Sequence, residues 1–139
     1  MIDQAIRTRL LAVSAVTDLV GSSTAARVYP LQMPQRPTFP CITYQIISGS
    51  PLYGLAGVAG VAEIRLQIDC WAQTTETVDG YAKARELAEA VRGALSAYTG
   101  TVGTDVIQEC SLVNRQVLLD GEAGVFRESL DFEIAYTES

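Results

Sequence analysis

The chain has 139 residues, 48% of them hydrophobic and 19% charged, which suits one domain (residues 1–139) with room for a core and leaves no low-complexity tract to read as disordered. Ten basic residues against sixteen acidic ones give a formal charge of −6, which argues against gripping a nucleic-acid backbone. Histidine is absent, so a Cys/His zinc site and a histidine-based triad are both excluded.

Residues 2 to 20 place Ile2, Ile6, Leu10, Val13 and Val20 within a narrow arc at helical spacing, which predicts an amphipathic helix. Ser14 followed by Asp18 leaves open a break into two shorter helices. Asp3, Gln4, Arg7, Thr8 and Arg9 interrupt the apolar residues here, so no signal peptide is expected, and no run of eighteen apolar residues suggests a membrane span. The expectation is a soluble chain made in the cytoplasm. A short strand is predicted at Arg27 to Tyr29. Pro30, Pro34, Pro37 and Pro40 then forbid regular helix and make an extended segment, either an arm toward a partner or a crossover along a sheet.

Cys41 to Ser48 is β-rich and alternates Ile42, Tyr44 and Ile46 against Thr43, Gln45 and Ile47. Gly49 to Gly60 follows, glycine-rich and apolar, as a long hairpin connection. It lacks the pattern and the lysine of a phosphate loop, and a strand follows it where a phosphate loop needs a helix. Leu52, Tyr53, Leu55 and Val58 on such a backbone suggest a surface that orders against a partner. From Ala62 to Ala72 two faces alternate almost without error: Ile64, Leu66, Ile68 and Cys70 against Glu63, Arg65, Gln67 and Asp69. That predicts a central strand with one wet face.

A helix is predicted from Thr77 to about Tyr98. Val78, Tyr81, Leu87, Ala88, Val91, Leu95 and Tyr98 lie on its apolar face, and Lys83, Arg85, Glu86, Glu89 and Arg92 on a solvated one. Gly100 stops it, and the following TGTVGT reads as a flexible turn. Val106 to Leu119 reads as a strand with a break or bulge near Asn114, and Asp120 to Gly124 as a hairpin turn. In Val125 to Tyr136 the residues Phe126, Leu130, Phe132, Ile134 and Tyr136 point inward; Arg127, Ser129, Asp131 and Glu133 point outward. The pattern α-β-β-α-β-β predicts a two-layer α+β domain: a four-stranded antiparallel sheet with two helices on one face. Its other face would carry Glu63, Arg65, Gln67, Asp69, Asp131 and Glu133, a mixed-charge surface or subunit interface whose solvated acids have no reason to be catalytic. Cys41, Cys70 and Cys110, without any CxxC, read as small buried hydrophobes in a reducing compartment. No catalytic, cofactor or metal-binding residue is singled out.

RVYP (Arg27 to Pro30), PCITYQ (Pro40 to Gln45), SGSP (Ser48 to Pro51), the glycine-rich stretch, AEIRLQIDCWA with Arg65, Gln67 and Trp71, and LAEAVRGAL (Leu87 to Leu95) occur in this order. As an ordered set they resemble the tail-completion, or tail-terminator, proteins of long-tailed bacteriophages and prophages, over nearly the whole chain. The resemblance implies a non-enzymatic α+β subunit of the virion, assembled in the host cytoplasm. It would form a homohexameric ring at the head-proximal end of the tail tube, stop polymerisation of the major tail tube protein and meet the head-completion proteins of the neck. DNA would pass through the lumen without specific binding, with no cofactor and no membrane. From the polar face and Pro30, Pro34 and Pro37, with Leu52, Tyr53, Leu55 and Val58, the partner surfaces would be drawn. Other readings stay open: a head-completion or neck connector, a tail-tube-related protein, or, from another class, an α+β ligand-binding domain or small enzyme.

Overall fold

The computed structural model describes residues 2–51, 61–119 and 124–138. Helices α1 (Ile2–Leu11), α2 (Ser14–Val20) and α3 (Gly80–Leu95) accompany strands β1 (Val28–Pro30), β2 (Cys41–Pro51), β3 (Val61–Gln73), β4 (Gly100–Val102), β5 (Asp105–Leu119) and β6 (Val125–Glu138). They form an α+β fold around a six-stranded mixed sheet in the order β1-β2-β3-β6-β5-β4. The expected four-stranded antiparallel sheet is therefore its middle, since β2, β3, β6 and β5 pair antiparallel along most of their lengths. The expectation fails at both margins. The short strand near Val28 adds to β2 in parallel, and the segment read as a flexible turn after Gly100 adds to β5 as β4. The first of these strands is the one predicted near Val28, left outside the four-stranded count; the second, three residues long, leaves no alternation to detect.

Strand β3 is central, as its alternation predicts, with β2 on one side and β6 on the other. Ile64, Leu66, Ile68 and Cys70 are buried with Ile42, Tyr44, Leu130, Phe132 and Ile134 under the helices. Three extra residues reset the alternation elsewhere. Pairing shifts between Ile46 and Ser48, between Ile107 and Glu109, and between Leu112 and Asn114. A bulge residue moves every later side chain to the other face. The one at Gln108 brings Cys110 and Leu112 opposite Ile134 and Phe132, and the one at Val113 brings Arg115 opposite Leu130, on the helical side.

The first helical stretch does break in two. The break falls at Ala12 and Val13, and Val16 and Val20 of α2 are buried in the same core as Ile2, Ala5, Ile6 and Leu10 of α1. Helix α3 starts later than its apolar pattern suggests, because Thr75 captures the preceding backbone: its hydroxyl accepts from the N–H groups of Thr77 and Val78. Asp79 caps the helix, accepting from Ala82 N–H at 3.3 Å. Tyr81 is 45% exposed and meets Phe126 edge-on, so it does not belong to the buried stripe. At the other end Ala97, with φ of 61°, stops the helix before Tyr98. There Arg9 donates to the Ala94 carbonyl at 3.0 Å and lies 4.1 Å over the Tyr98 ring, fastening α1 to the end of α3.

Candidate assembly surface

The predicted polar face exists, but it is not a field of solvated acids. Pairing places Arg65 beside Glu133, Gln67 beside Asp131, Asp69 beside Ser129 and Trp71 beside Arg127. Asp69 is 7% exposed and Asp131 9%, which corrects the expectation for these two; Glu63 and Glu133 are exposed. Neighbouring side chains account for the burial. Arg65 donates to Asp131 at 3.1 Å, and Gln67 donates to both carboxylate oxygens of Asp69 at 3.2 and 3.1 Å. Arg127 lies 3.8 Å from Asp69 and 5.1 Å over the Trp71 ring, whose N–H donates to the Thr43 hydroxyl at 2.9 Å. Acids so occupied form a fixed pattern of charge on this face of the sheet. Among the described residues no cluster of His, Cys, Asp or Glu is arranged to hold a metal ion.

Beneath α3, on the opposite side of the sheet, lies a buried charge that the sequence reading passed over. Glu128 is wholly buried. Arg85 of α3 approaches it at 2.7 Å as an ion pair, and Arg115, turned inward by the Val113 bulge, hydrogen-bonds its other oxygen. Arg115 also reaches Glu89 at 3.2 Å, which holds Arg92 at 2.8 Å. The row thus runs from the core to solvent across α3, β5 and β6. A signal for it was present: Glu128 sits two residues before Leu130, at an inward position.

The proline segment is exposed in one part and packed in another. Pro30 and Pro34 are exposed. Pro37 lines a groove of ≈ 220 Å³ with Phe39, Pro40, Ala72, Gln73, Thr75, Val78 and Lys83. Met33 sits on Cys41, their sulfurs 3.3 Å apart. Leu31 stands apart, 72% exposed and at φ of 66°, a backbone region that disfavours a branched side chain. The structure does not bring the proline residues together with the polar face into one site. Leu52, Tyr53, Leu55 and Val58 lie outside the described residues.

Cys41, Cys70 and Cys110 are free and buried, as expected. Burial pushes the thiols of Cys41 and Cys110 up to about 12, and Cys70 is raised well above its ordinary value, again by burial first. They are packing groups, protonated at neutral pH.

The family model for "Tail completion protein gp17" matches residues 4–137, and the chain belongs to that family. Among solved structures, a chain from the virion of a native gene transfer agent particle superposes with a TM-score of 0.70 at 19% identity, over 98% of this chain and 93% of that one. A second superposes with a TM-score of 0.56 at 14% identity, over 99% of this chain and 93% of the other. At these identities the likeness is one of fold. No curated protein matches the sequence. Family membership gives the protein a structural role in a phage-type tail. Among the described residues no helix is long and apolar enough to cross a membrane.

Proposed function

We propose that the protein is a single tail-completion domain that closes into a homohexameric ring at the head-proximal end of the tail tube, ends tube polymerisation and presents a surface to the head-completion proteins. The observation that carries this is the family match across residues 4–137; the fold shared with a virion chain supports it. The role is structural and not catalytic, in keeping with a polar face whose carboxylates are tied to Arg65, Gln67 and Arg127. Partner contacts fall to the exposed part of the proline arm, with Leu31 beside Pro30 and Pro34, and to Leu52, Tyr53, Leu55 and Val58. A left-handed backbone carrying an exposed leucine costs stability in the free protein, and a partner that buries this side chain offsets the cost. The test is the copy number in assembled tails. Imaging, or native mass spectrometry of tail tips, is expected to show six copies around the axis, and one or two copies at that position would end the ring reading.

A further inference from the structure

Both long edges of the sheet are half covered, and at opposite ends. β1 covers β2 at Ile42, Thr43 and Tyr44, and Leu31 N–H adds a bond to the Tyr44 carbonyl at 2.9 Å. From Gln45 to Pro51 no strand among the described residues pairs with that edge. β4 covers β5 at Asp105, Val106 and Ile107, and Ala97 N–H donates to the Cys110 carbonyl. From Ser111 to Leu119 no described strand lies along the outer edge of β5.

An open row of backbone groups invites another strand, and monomeric proteins blunt such edges with lysine, proline, bulges or inward charge. Here each free segment has one bulge, at Ile47 and at Val113, and β5 has the inward Arg115, but neither carries a lysine or an outward charge. Lys83, far from either edge in sequence, is the only lysine in the chain, and the β2 segment carries no charge and only Pro51 at its end. The one charge of the β5 segment, Arg115, is bound to Glu128 and Glu89. Ile46 and Ile47 on one edge and Val113 and Leu119 on the other are instead exposed, at 43%, 42%, 42% and 66%.

We infer that the free edge of β5 pairs, antiparallel, with the free edge of β2 in a second copy of the chain. The inference rests on the ring reading and supplies its subunit contact. The four long strands alternate in direction across the sheet in the order β2, β3, β6, β5, an even set. A copy that joins β5 through its own β2 therefore continues the alternation. The covered ends are also diagonal to one another. Ser48, Arg65, Glu133 and Ser111 form one row across the sheet, so the free part of β2 is level with the β5 half nearer β4. The free segments overlap fully when the neighbour slides about four residues along the strands, roughly 13 Å at 3.3 Å per residue. Such a stagger is what tilted strands show in a closed sheet. β1 and β4 then act as stops that fix it. A foreign strand would use one edge; a second copy of this chain uses both, and head-to-tail contacts of this kind close into rings.

The experiment uses full-length Ile47→Lys and Val113→Lys proteins, each supplied to tails in place of the wild type. Both residues sit at bulges, outside the regular pairing of their own sheet. Each variant is expected to keep its melting temperature and to lose at least about tenfold in incorporation, which corresponds to about 1.4 kcal/mol. Independently, Ile46→Cys combined with Val117→Cys is expected to give a covalent ladder of subunits with a short bis-maleimide in assembled tails, and either single variant none. Wild-type incorporation of both lysine variants, or a double variant that yields no ladder, overturns the edge contact. A tail carrying a six-fold ring despite that result leaves the ring reading standing; a single copy at the position removes both.

Discussion

At the scale of single residues, the strongest constraint is the carboxylate buried where a strand pattern leads one to expect an apolar side chain. Glu128 is held by Arg85 and Arg115, and removing one partner of a buried ion pair leaves the others uncompensated. Glu128→Gln is expected to cost about 3 kcal/mol in urea unfolding, the lower end of the usual range because both arginines reach solvent. Glu89→Gln, at the exposed end of the same row, should leave the midpoint unmoved; equal losses would show that the buried end has no special weight. The thiols give a second residue-scale expectation. Raised to about 12 in the fold from an ordinary value of 9.0, Cys41 and Cys110 contribute stability that is complete below pH 9 and is lost as the pH rises toward 12. Each removes about 1.4 kcal/mol per pH unit in that window. Unfolding free energies at pH 8 and pH 10 should therefore differ less in Cys110→Ala than in the wild type, and an aromatic disulfide reagent at pH 8 should find no rapidly reacting thiol before denaturation. The glutamate's inward position was legible in the sequence; its two partners were not, because one came from a helix face read as solvated and the other was turned inward by a bulge.

At the scale of elements, alternation made β3 and β6 legible, and it failed where an inserted residue reset it. No residue type at Gln108 or Val113 announces the insertion, although the break near Asn114 was visible as a loss of pattern. Helix α3 was legible in its middle and not at its start, where side chains of the turn outcompete the helix for backbone bonds. That turn is held tightly. Gly80 N–H donates to the Thr74 hydroxyl at 3.0 Å, and a Cβ at Gly80 would lie 2.6 Å from Thr74 N and 2.8 Å from Gln73 C. Since those are backbone atoms, Gly80→Ala is expected to destabilise the protein by about 1–3 kcal/mol, despite alanine's better helix propensity. A neutral result in thermal melts would mean that the turn yields freely. In the proline arm the opposite sign is expected. Leu31→Gly relieves a left-handed backbone of about 1–2 kcal/mol, partly offset by glycine's added chain entropy of about 0.5–1 kcal/mol, so the melting temperature should hold or rise. Incorporation into tails should fall if this side chain meets a partner, and unchanged incorporation would remove Leu31 from the proposed contacts.

At the scale of the whole molecule, the charge of −6 combines with arginines that are already engaged: Arg65 with Asp131, Arg127 with Asp69, Arg85 and Arg115 with Glu128. Little positive charge is left to displace counterions from DNA. Purified protein is expected to bind duplex DNA more weakly than about 10⁻⁴ M at physiological salt, and tight, salt-sensitive binding in fluorescence anisotropy would overturn this. Arg27 has a consequence of another kind. Its guanidinium donates to the carbonyls of Pro40 and Leu19, at 2.9 and 2.8 Å, while its own carbonyl accepts from Ile42 N–H and its own N–H donates to the Val20 carbonyl. One residue thus fastens the far end of the proline segment and the end of α2, and the bond from Leu31 to Tyr44 fastens the near end. Between the packed Met33 and Pro37, the exposed Pro34, Gln35 and Arg36 can accept a longer chain at little cost, because doubling a closed loop adds only about 0.6 kcal/mol of closure entropy. An insertion there is expected to leave the sheet below as it is, as a cord can be lengthened between two knots, and an affinity tag between Pro34 and Gln35 is the place to begin labelling the protein.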